Sequence, residues 1–303
     1  MTRPTLPARV TVVEVGPRDG LQNEPVAVST EAKIAFVQGL ASAGLPVVEI
    51  AAFVRPDRVP QMADAAQVAR GLRRRPGVRY TALVPNIRGL TAAREAGLTE
   101  VAIFAAASET FSRRNINQSI DESLATYGEV IGAARDAGIR VRAYLSTAFG
   151  CPFEGAVQVS RVAELTARLL ELGAFEVAVS DTIGVATPRQ VFDTLDAVLT
   201  RVPIASVALH FHDTRGTALA NVLAALEVGV AIFDSSAGGL GGCPFAPGAA
   251  GNLATEDLIY MLDGLGVETG VDVEAVRAAS REIGRVLNRP LASRYAAAGP
   301  PRR

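Results

Sequence analysis

Residues 175–211 read FEVAVSDTIGVATPRQVFDTLDAVLTRVPIASVALHF. The run Phe175–Val179 is short, apolar and rich in valine, as a buried strand requires. Thr187–Pro188 supplies a helix N-cap and a first-turn proline, and helical periodicity follows over Pro188–Thr200. A second apolar run, Ser206–Phe211, completes one strand–helix–strand unit. Strands that are largely apolar belong to a sheet covered on both faces, which implies parallel pairing.

The unit recurs in both directions. Upstream lie the runs Val10–Val15, Pro46–Ile50, Arg79–Val84, Glu100–Phe104 and Ile139–Leu145, and downstream lies Gly229–Phe233. Helical stretches fill the gaps: Glu31–Ala43, Met62–Leu72, Arg88–Ala96, Ser119–Ala137, Val157–Leu172, Gly216–Glu227 and Ala254–Leu262. Gly44, Gly97, Gly138 and Gly173 fall where left-handed helix caps belong. Eight β/α units in ~250 residues indicate a TIM (β/α)8 barrel. An open, doubly wound sheet is the other arrangement that this periodicity permits. We read residues 1–303 as a single catalytic barrel domain, with the barrel over about 10–265. A C-terminal extension over 272–303 carries a helix, Val273–Leu287, and an Arg/Pro/Ala-rich tail open to disorder.

Composition removes several function classes. A formal net charge of −1 leaves no electrostatic footprint for nucleic acid or anionic lipid. The short runs Arg73–Arg75 and Arg113–Arg114 read as a solvated helix end and a loop. Two cysteines in 303 residues are no disulfide framework, so a reducing interior is expected. Neither a signal peptide nor a membrane-spanning run is legible, which points to a cytoplasmic protein. Lys33, the only lysine, is expected on an outer helix facing solvent, whereas a Schiff-base aldolase needs a lysine inside its site.

A TIM barrel builds its site at the C-terminal ends of the strands. The polar residues there are concentrated in this chain. The first strand runs into Gly16-Pro17-Arg18-Asp19-Gly20-Leu21-Gln22-Asn23-Glu24, and the second carries Glu49. Later ends hold Asn86, then Ser108-Glu109, then Arg142, Tyr144 and Ser146-Thr147. The last three end in Ser180-Asp181-Thr182, His210-Phe211-His212-Asp213 and Asp234-Ser235-Ser236, followed by a glycine-rich loop holding Cys243. His210 and His212 are the only histidines, and their i, i+2 spacing on a strand points both imidazoles to one side. Two hydrogen-bonded core histidines are the plainer reading of that pair. The other is half of a metal site, with Asp19 a natural third ligand and Asn252 able to add an amide oxygen. A mixed N/O set with open positions suits Mg²⁺ or Mn²⁺ better than structural zinc. Arg18 is either a surface partner of Asp19 or a fixed cation for a developing oxyanion. Glu49 and Asp181 are candidate partners that lock Arg18 and Arg142 in place. Cys151, within Phe149–Gly155, reads as structural.

These segments resemble the hydroxymethylglutaryl-CoA lyase family. The resemblance rests on Val13–Glu24, Asn115-Ile116-Asn117, Ser180–Val185, His210–Thr214, Gly239–Phe245 and Gly251–Asp257, and runs from about residue 10 to residue 290. It implies a metal-dependent TIM barrel related to isopropylmalate and homocitrate synthases. Carried over, it makes Asp19, His210, His212 and Asn252 ligands of Mg²⁺ or Mn²⁺, and Arg18 the group that polarises the thioester carbonyl. It makes Cys243 a catalytic thiol on a mobile loop, His210 or Cys243 the final proton donor, and Glu49 and Asp181 supports. Gln22, Ser108 and Asn288 become substrate contacts, Asn288 near the CoA. The implied partner is a small acyl-CoA, with no nucleic acid and no membrane, in a homodimer or higher homo-oligomer. Acetyl-CoA and acetoacetate are the implied products, in leucine degradation and ketone-body metabolism.

Five positions depart from the family pattern. Ala51 and Ala52 replace hydroxyl residues before Phe53, Thr147 replaces a cysteine, and Phe153 and Arg215 replace tyrosines. Methyls in place of hydroxyls at the mouth of the second strand point to a bulkier 3-hydroxy-3-alkylglutaryl-CoA as an alternative substrate. A Claisen-condensing synthase, a pyruvate-type metal aldolase and a silent CoA-ester-binding barrel are the remaining alternatives. The complete set of Arg18, Asp19, both histidines, Cys243 and Asn252 argues against the last.

Overall fold

The computed structural model describes residues 5–242 and 251–299. Eight strands close into one barrel: β1 (Thr11–Glu14), β2 (Val47–Ala52), β3 (Arg79–Leu83), β4 (Glu100–Ala106), β5 (Arg140–Ser146), β6 (Glu176–Asp181), β7 (Val207–Phe211) and β8 (Ile232–Ser235). Every neighbouring pair is parallel, and β8 returns to β1 with Val12 opposite Phe233. The open-sheet alternative is therefore excluded.

The helices are α1 (Thr30–Ser42), α2 (Ala65–Gly71), α3 (Ile87–Glu95), α4 (Glu109–Ile116), α5 (Ile120–Asp136), α6 (Val159–Glu171), α7 (Pro188–Leu199), α8 (Ala218–Val228), α9 (Thr255–Gly264), α10 (Val273–Val286) and α11 (Arg294–Ala298). Their starts follow local chemistry. Ser29 accepts from Ala32 N, Asn86 from Gly89 N, and Ser119 forms a reciprocal capping box with Glu122. No helix among the described residues is long and apolar enough to cross a membrane.

Outward strand residues such as Val48, Ile50, Ile103 and Val177 join the helices in one large core. The lumen is filled differently. Ala102, Ala178 and Ala208 leave room there for the Tyr144 ring and the Arg142 guanidinium, where branched aliphatics usually pack.

Three features differ from the sequence reading. The segment after β4, including Arg113–Arg114, is helix α4 rather than loop. The C-terminal tail is ordered at 294–298, because Asp257 accepts from Ser293 Oγ and from the Arg294 and Tyr295 amides. Lys33 is buried rather than solvent-facing. Its Nζ donates to Gln61 O at 2.5 Å and to Asp64 at 2.6 Å, between α1 and α2.

Gly44 ends α1 at φ +94°, and a Cβ built on it would lie 2.6 Å from the Gly270 carbonyl oxygen. Left-handed strain and that clash add, because neither backbone can move without unlatching α10. We predict that Gly44→Ala lowers stability by about 2 kcal/mol or more. Urea denaturation should give a lower midpoint at an unchanged slope; an unshifted midpoint contradicts the account.

Candidate active site

The chain leaving β1 forms a π-helical turn over Gly16–Gly20, and this turn delivers Arg18 and Asp19 to the barrel mouth. Arg18 is buried. Its Nε donates to Glu49 Oε2 at 2.6 Å, and one terminal nitrogen donates to Asp19 Oδ1 at 2.5 Å. Tyr144 lies beneath, with its ring 5.2 Å from the Arg18 guanidinium carbon and its hydroxyl donating to Glu49 Oε2 at 3.1 Å. Burial works against the arginine's charge, but Glu49 and Asp19 outweigh it. Burial likewise opposes ionisation of Asp19, yet Arg18, His210 and His212 bring its pKa down to about 2. Glu49 keeps a raised pKa from burial despite Arg18, and its Oε1 has no hydrogen-bond partner among the described residues.

β7 presents His210, and His212 follows just past its end, bridged to Asn252. Ligand atoms of Asp19, His210 and His212 all lie within 4.8 Å of one another. His210 Nδ1 meets Asp234 Oδ2 at 3.1 Å, whereas His212 Nδ1 is buried with no partner among the described residues. Burial, then the neighbouring His210, lower the His212 pKa to about 4, so this imidazole is neutral. Asn252 uses its amide nitrogen on Asp19 Oδ2 at 2.9 Å and on Leu240 O at 3.0 Å, leaving Oδ1 buried and unpartnered among the described residues. Gly241 passes so close that a Cβ would lie 2.6 Å from this amide. Unsatisfied buried acceptors are costly and rare. An orphaned imidazole nitrogen and amide oxygen beside an ionised carboxylate fit a divalent cation.

Arg18, Asp19, Gln22, His210 and His212 line a cavity of about 390 Å³. Gln22 also donates to Asp19 Oδ1 at 2.9 Å. Three sequence candidates lie elsewhere. Asp181 pairs in register with Phe211 and turns away from the lumen that Ser180 and His210 share. It accepts from the Val185 and Ala186 amides at 2.9 Å rather than pairing with Arg142, and burial raises its pKa to about 6. Ser108 caps α4, with its hydroxyl 2.9 Å from Cys151 Sγ, and does not line the cavity. Asn288 sits at φ +51° on a second cavity of about 530 Å³, beside Arg281, Arg285 and Arg289. Cys243 lies outside the described residues.

The substituted positions also resolve. Ala51 and Ala52 follow a register shift after Glu49, are buried, and do not line the cavity, so they give no ground for a larger acyl group. Arg215 donates to the Ile183 and Gly184 carbonyls and clamps the turn after β6. Thr147 holds φ +59°, an unusual conformation for a β-branched residue. Sequence reasoning missed the functional contacts of Tyr144, Arg142 and Asp234, although it placed all three at strand ends. It also missed the wall that α4 contributes through Phe111 and Arg114. The Ser108-Glu109 pair was the available helix-start signal.

Comparison with known proteins agrees in fold and length. The HMGL-like family model matches residues 9–283. Mitochondrial hydroxymethylglutaryl-CoA lyase of Bos taurus is 54% identical over 294 residues, covering 97% of this chain and 90% of the relative. The crystal structure of hydroxymethylglutaryl-CoA lyase from Pseudomonas aeruginosa superposes with a TM-score of 0.95 at 50% identity, covering 97% and 98% of the two chains. An HMG-CoA lyase from Acinetobacter baumannii, solved with coenzyme A and 3-methylmalate, gives 0.93 at 38% identity, covering 99% and 97%.

Beneath the cavity, the fully buried Glu14 ties three segments together. It accepts from Gly16 N at 2.8 Å, Ala237 N at 2.9 Å and Thr255 Oγ1 at 2.7 Å. Burial raises its pKa to about 8, although these hydrogen bonds pull it down. The folded chain therefore holds a proton that the unfolded chain sheds near 4.5. That contribution is complete below 4.5 and is lost as pH rises through about 8. Glu14→Gln should remove the dependence. Its stability relative to the parent should rise between pH 5 and 8, by up to roughly 1.4 kcal/mol per unit, then level off. Urea midpoints across that range test this, and a pH-independent difference would contradict it.

Proposed function

The chain belongs to the HMGL-like family, and from that premise we propose that it is a carbon–carbon lyase cleaving 3-hydroxy-3-methylglutaryl-CoA to acetyl-CoA and acetoacetate. The observation that carries this reading is the convergence of Arg18 and the Asp19–His210–His212 cluster on one cavity. An acyl-CoA substrate accords with the coenzyme A held by the Acinetobacter relative. We read the whole chain as one catalytic domain acting in a homodimer or higher homo-oligomer. Its two cysteines suit a reducing compartment, and we place it in the cytoplasm.

We assign a divalent cation, Mg²⁺ or Mn²⁺, to Asp19, His210, His212 and Asn252. Bound there, it would supply Lewis-acid polarisation of substrate oxygens and acidify the tertiary hydroxyl. The rest falls to the chain. Asp19, the carboxylate of the cavity wall, takes the hydroxyl proton. As the C2–C3 bond breaks, the C3–O bond becomes the ketone of acetoacetate. The electron pair passes to the thioester as an enolate. Arg18, held by Glu49 and Asp19, faces the enolate oxygen, a contribution of about 3–4 kcal/mol for a fixed donor. A proton from Cys243 to the terminal carbon completes acetyl-CoA, since His210 is engaged through both ring nitrogens, by Asp234 and by the cation it would hold. Gln22 orients Asp19 and borders the substrate. Asp181 fixes the turn that carries Thr182, Ser108 acts through α4, and Asn288 contacts the CoA portion from the second cavity.

Incubation with 3-hydroxy-3-methylglutaryl-CoA and Mg²⁺ should yield acetoacetate in step with acetyl-CoA; its absence at full metal occupancy refutes the activity. Chelator treatment should abolish turnover, and Mg²⁺ or Mn²⁺ should restore it. Arg18→Gln should cut kcat by about 10²–10³ with little change in KM. Arg18→Lys should not rescue it, because an ammonium cannot serve Glu49, Asp19 and an enolate together. A change confined to KM would mean that Arg18 only binds substrate.

A further inference from the structure

We propose that Asp234 is a positioning residue that fixes the tautomer of His210, holding the proton on Nδ1 and leaving Nε2 as the ligating nitrogen. The inference rests on the cation reading for its consequence, and on hydrogen-bond geometry for its content.

Asp234 on β8 stands in register with His210 on β7, so both side chains enter the lumen. Its two oxygens are gripped by one guanidinium, with Arg142 Nη2 to Oδ1 at 2.7 Å and Arg142 Nη1 to Oδ2 at 3.2 Å. Arg142 cannot swing away, because its Nε donates to Glu176 Oε1 at 2.5 Å on the other side. A carboxylate forked in this way is an acceptor only. His210 Nδ1, 3.1 Å from Oδ2, must therefore carry hydrogen. In a neutral imidazole that leaves the lone pair on Nε2, the nitrogen free to join Asp19 and His212. His212 has no such arrangement, since its Nδ1 is unpartnered among the described residues. The two histidines thus differ in kind: one is set in advance, and the other is free to adopt either tautomer.

The chain has only two histidines, which makes a direct test practical. In metal-free protein labelled with ¹⁵N-histidine, long-range ¹H–¹⁵N correlation at pH 8 should give a protonated Nδ1 and a bare Nε2 for His210. His212→Gln assigns the two rings. The opposite pattern for His210 overturns the proposal, whatever the chain does with metal. Asp234→Asn supplies the consequence. Arg142 would hold the amide oxygen and turn the amide hydrogens toward His210. Nδ1 would then accept, and the proton would move to Nε2. Mn²⁺ binding followed by electron paramagnetic resonance should weaken by about 10–100-fold, with the circular dichroism spectrum unchanged. Glu176→Gln, which disturbs Arg142 but not the Asp234–His210 contact, should stay within about threefold of the parent. Equal losses in both variants, or none in Asp234→Asn, would reduce Asp234 to a structural ion-pair partner. Should Asp234→Asn fail to fold, the tautomer measurement on the parent decides. A parent that binds no Mn²⁺ would sink the cation reading, and that outcome is separate from the tautomer result.

Discussion

The buried guanidinium of Arg142 is the constraint around which the barrel is arranged. It stands at 1% exposure inside the lumen, with Glu176 on one side and Asp234 on the other. Burying such charges is expensive, and removing one partner of a buried pair typically costs about 3–5 kcal/mol. The surroundings compensate by geometry: three of its nitrogens are used, and its guanidinium carbon lies 4.9 Å from the centre of the Tyr144 ring. Ala102, Ala178 and Ala208 are small because this group takes the volume a branched layer would otherwise fill.

From that fixed point the site follows. The Tyr144 ring contacts both Arg142 and Arg18, and its hydroxyl reaches Glu49, which in turn grips Arg18. Asp234 reaches His210. Both working faces of the cavity, the cationic one and the one rich in metal-ligand donors, therefore hang on the same buried set. Such preorganisation matters because electrostatic stabilisation of a developing charge is useful only if the dipoles need not reorient during the reaction. The cavity walls meet this condition through charged side chains that already have partners.

The fold was legible because its signal is local and repeated. Apolar runs, capping residues and left-handed glycines each report on a few neighbouring residues, and eight repeats average out errors of boundary. The short polar helix α4 escaped because eight residues with little apolar face resemble a loop. The site was legible in position but less so in direction. Adjacent parallel strands in register share a face, so His210 fixes Ser180 as the lumen residue and turns Asp181 outward. That inference needs the register, which no single strand encodes. Ser108 likewise looked available, but its hydroxyl is engaged at the head of α4. The Arg142–Asp234 pair joins residues 92 positions apart and leaves no local trace.

The choice of cation is itself informative. One lysine stands among 30 basic residues, and it is tied between two outer helices. An ammonium is a strongly hydrated point charge, whereas a guanidinium is planar, weakly hydrated and able to serve several acceptors along fixed directions. Arg18 shows what this permits. It holds Glu49 and Asp19 at once, lies over an aromatic ring, and still lines the cavity. Asp19 is thereby kept ionised, which a cation ligand requires, although burial alone would favour its neutral form. The pairing that looks like a surface ion pair in sequence thus joins the oxyanion-facing group to the cation-facing one. Moving either would move the other, so the distance between the two chemistries is set by one bond of 2.5 Å.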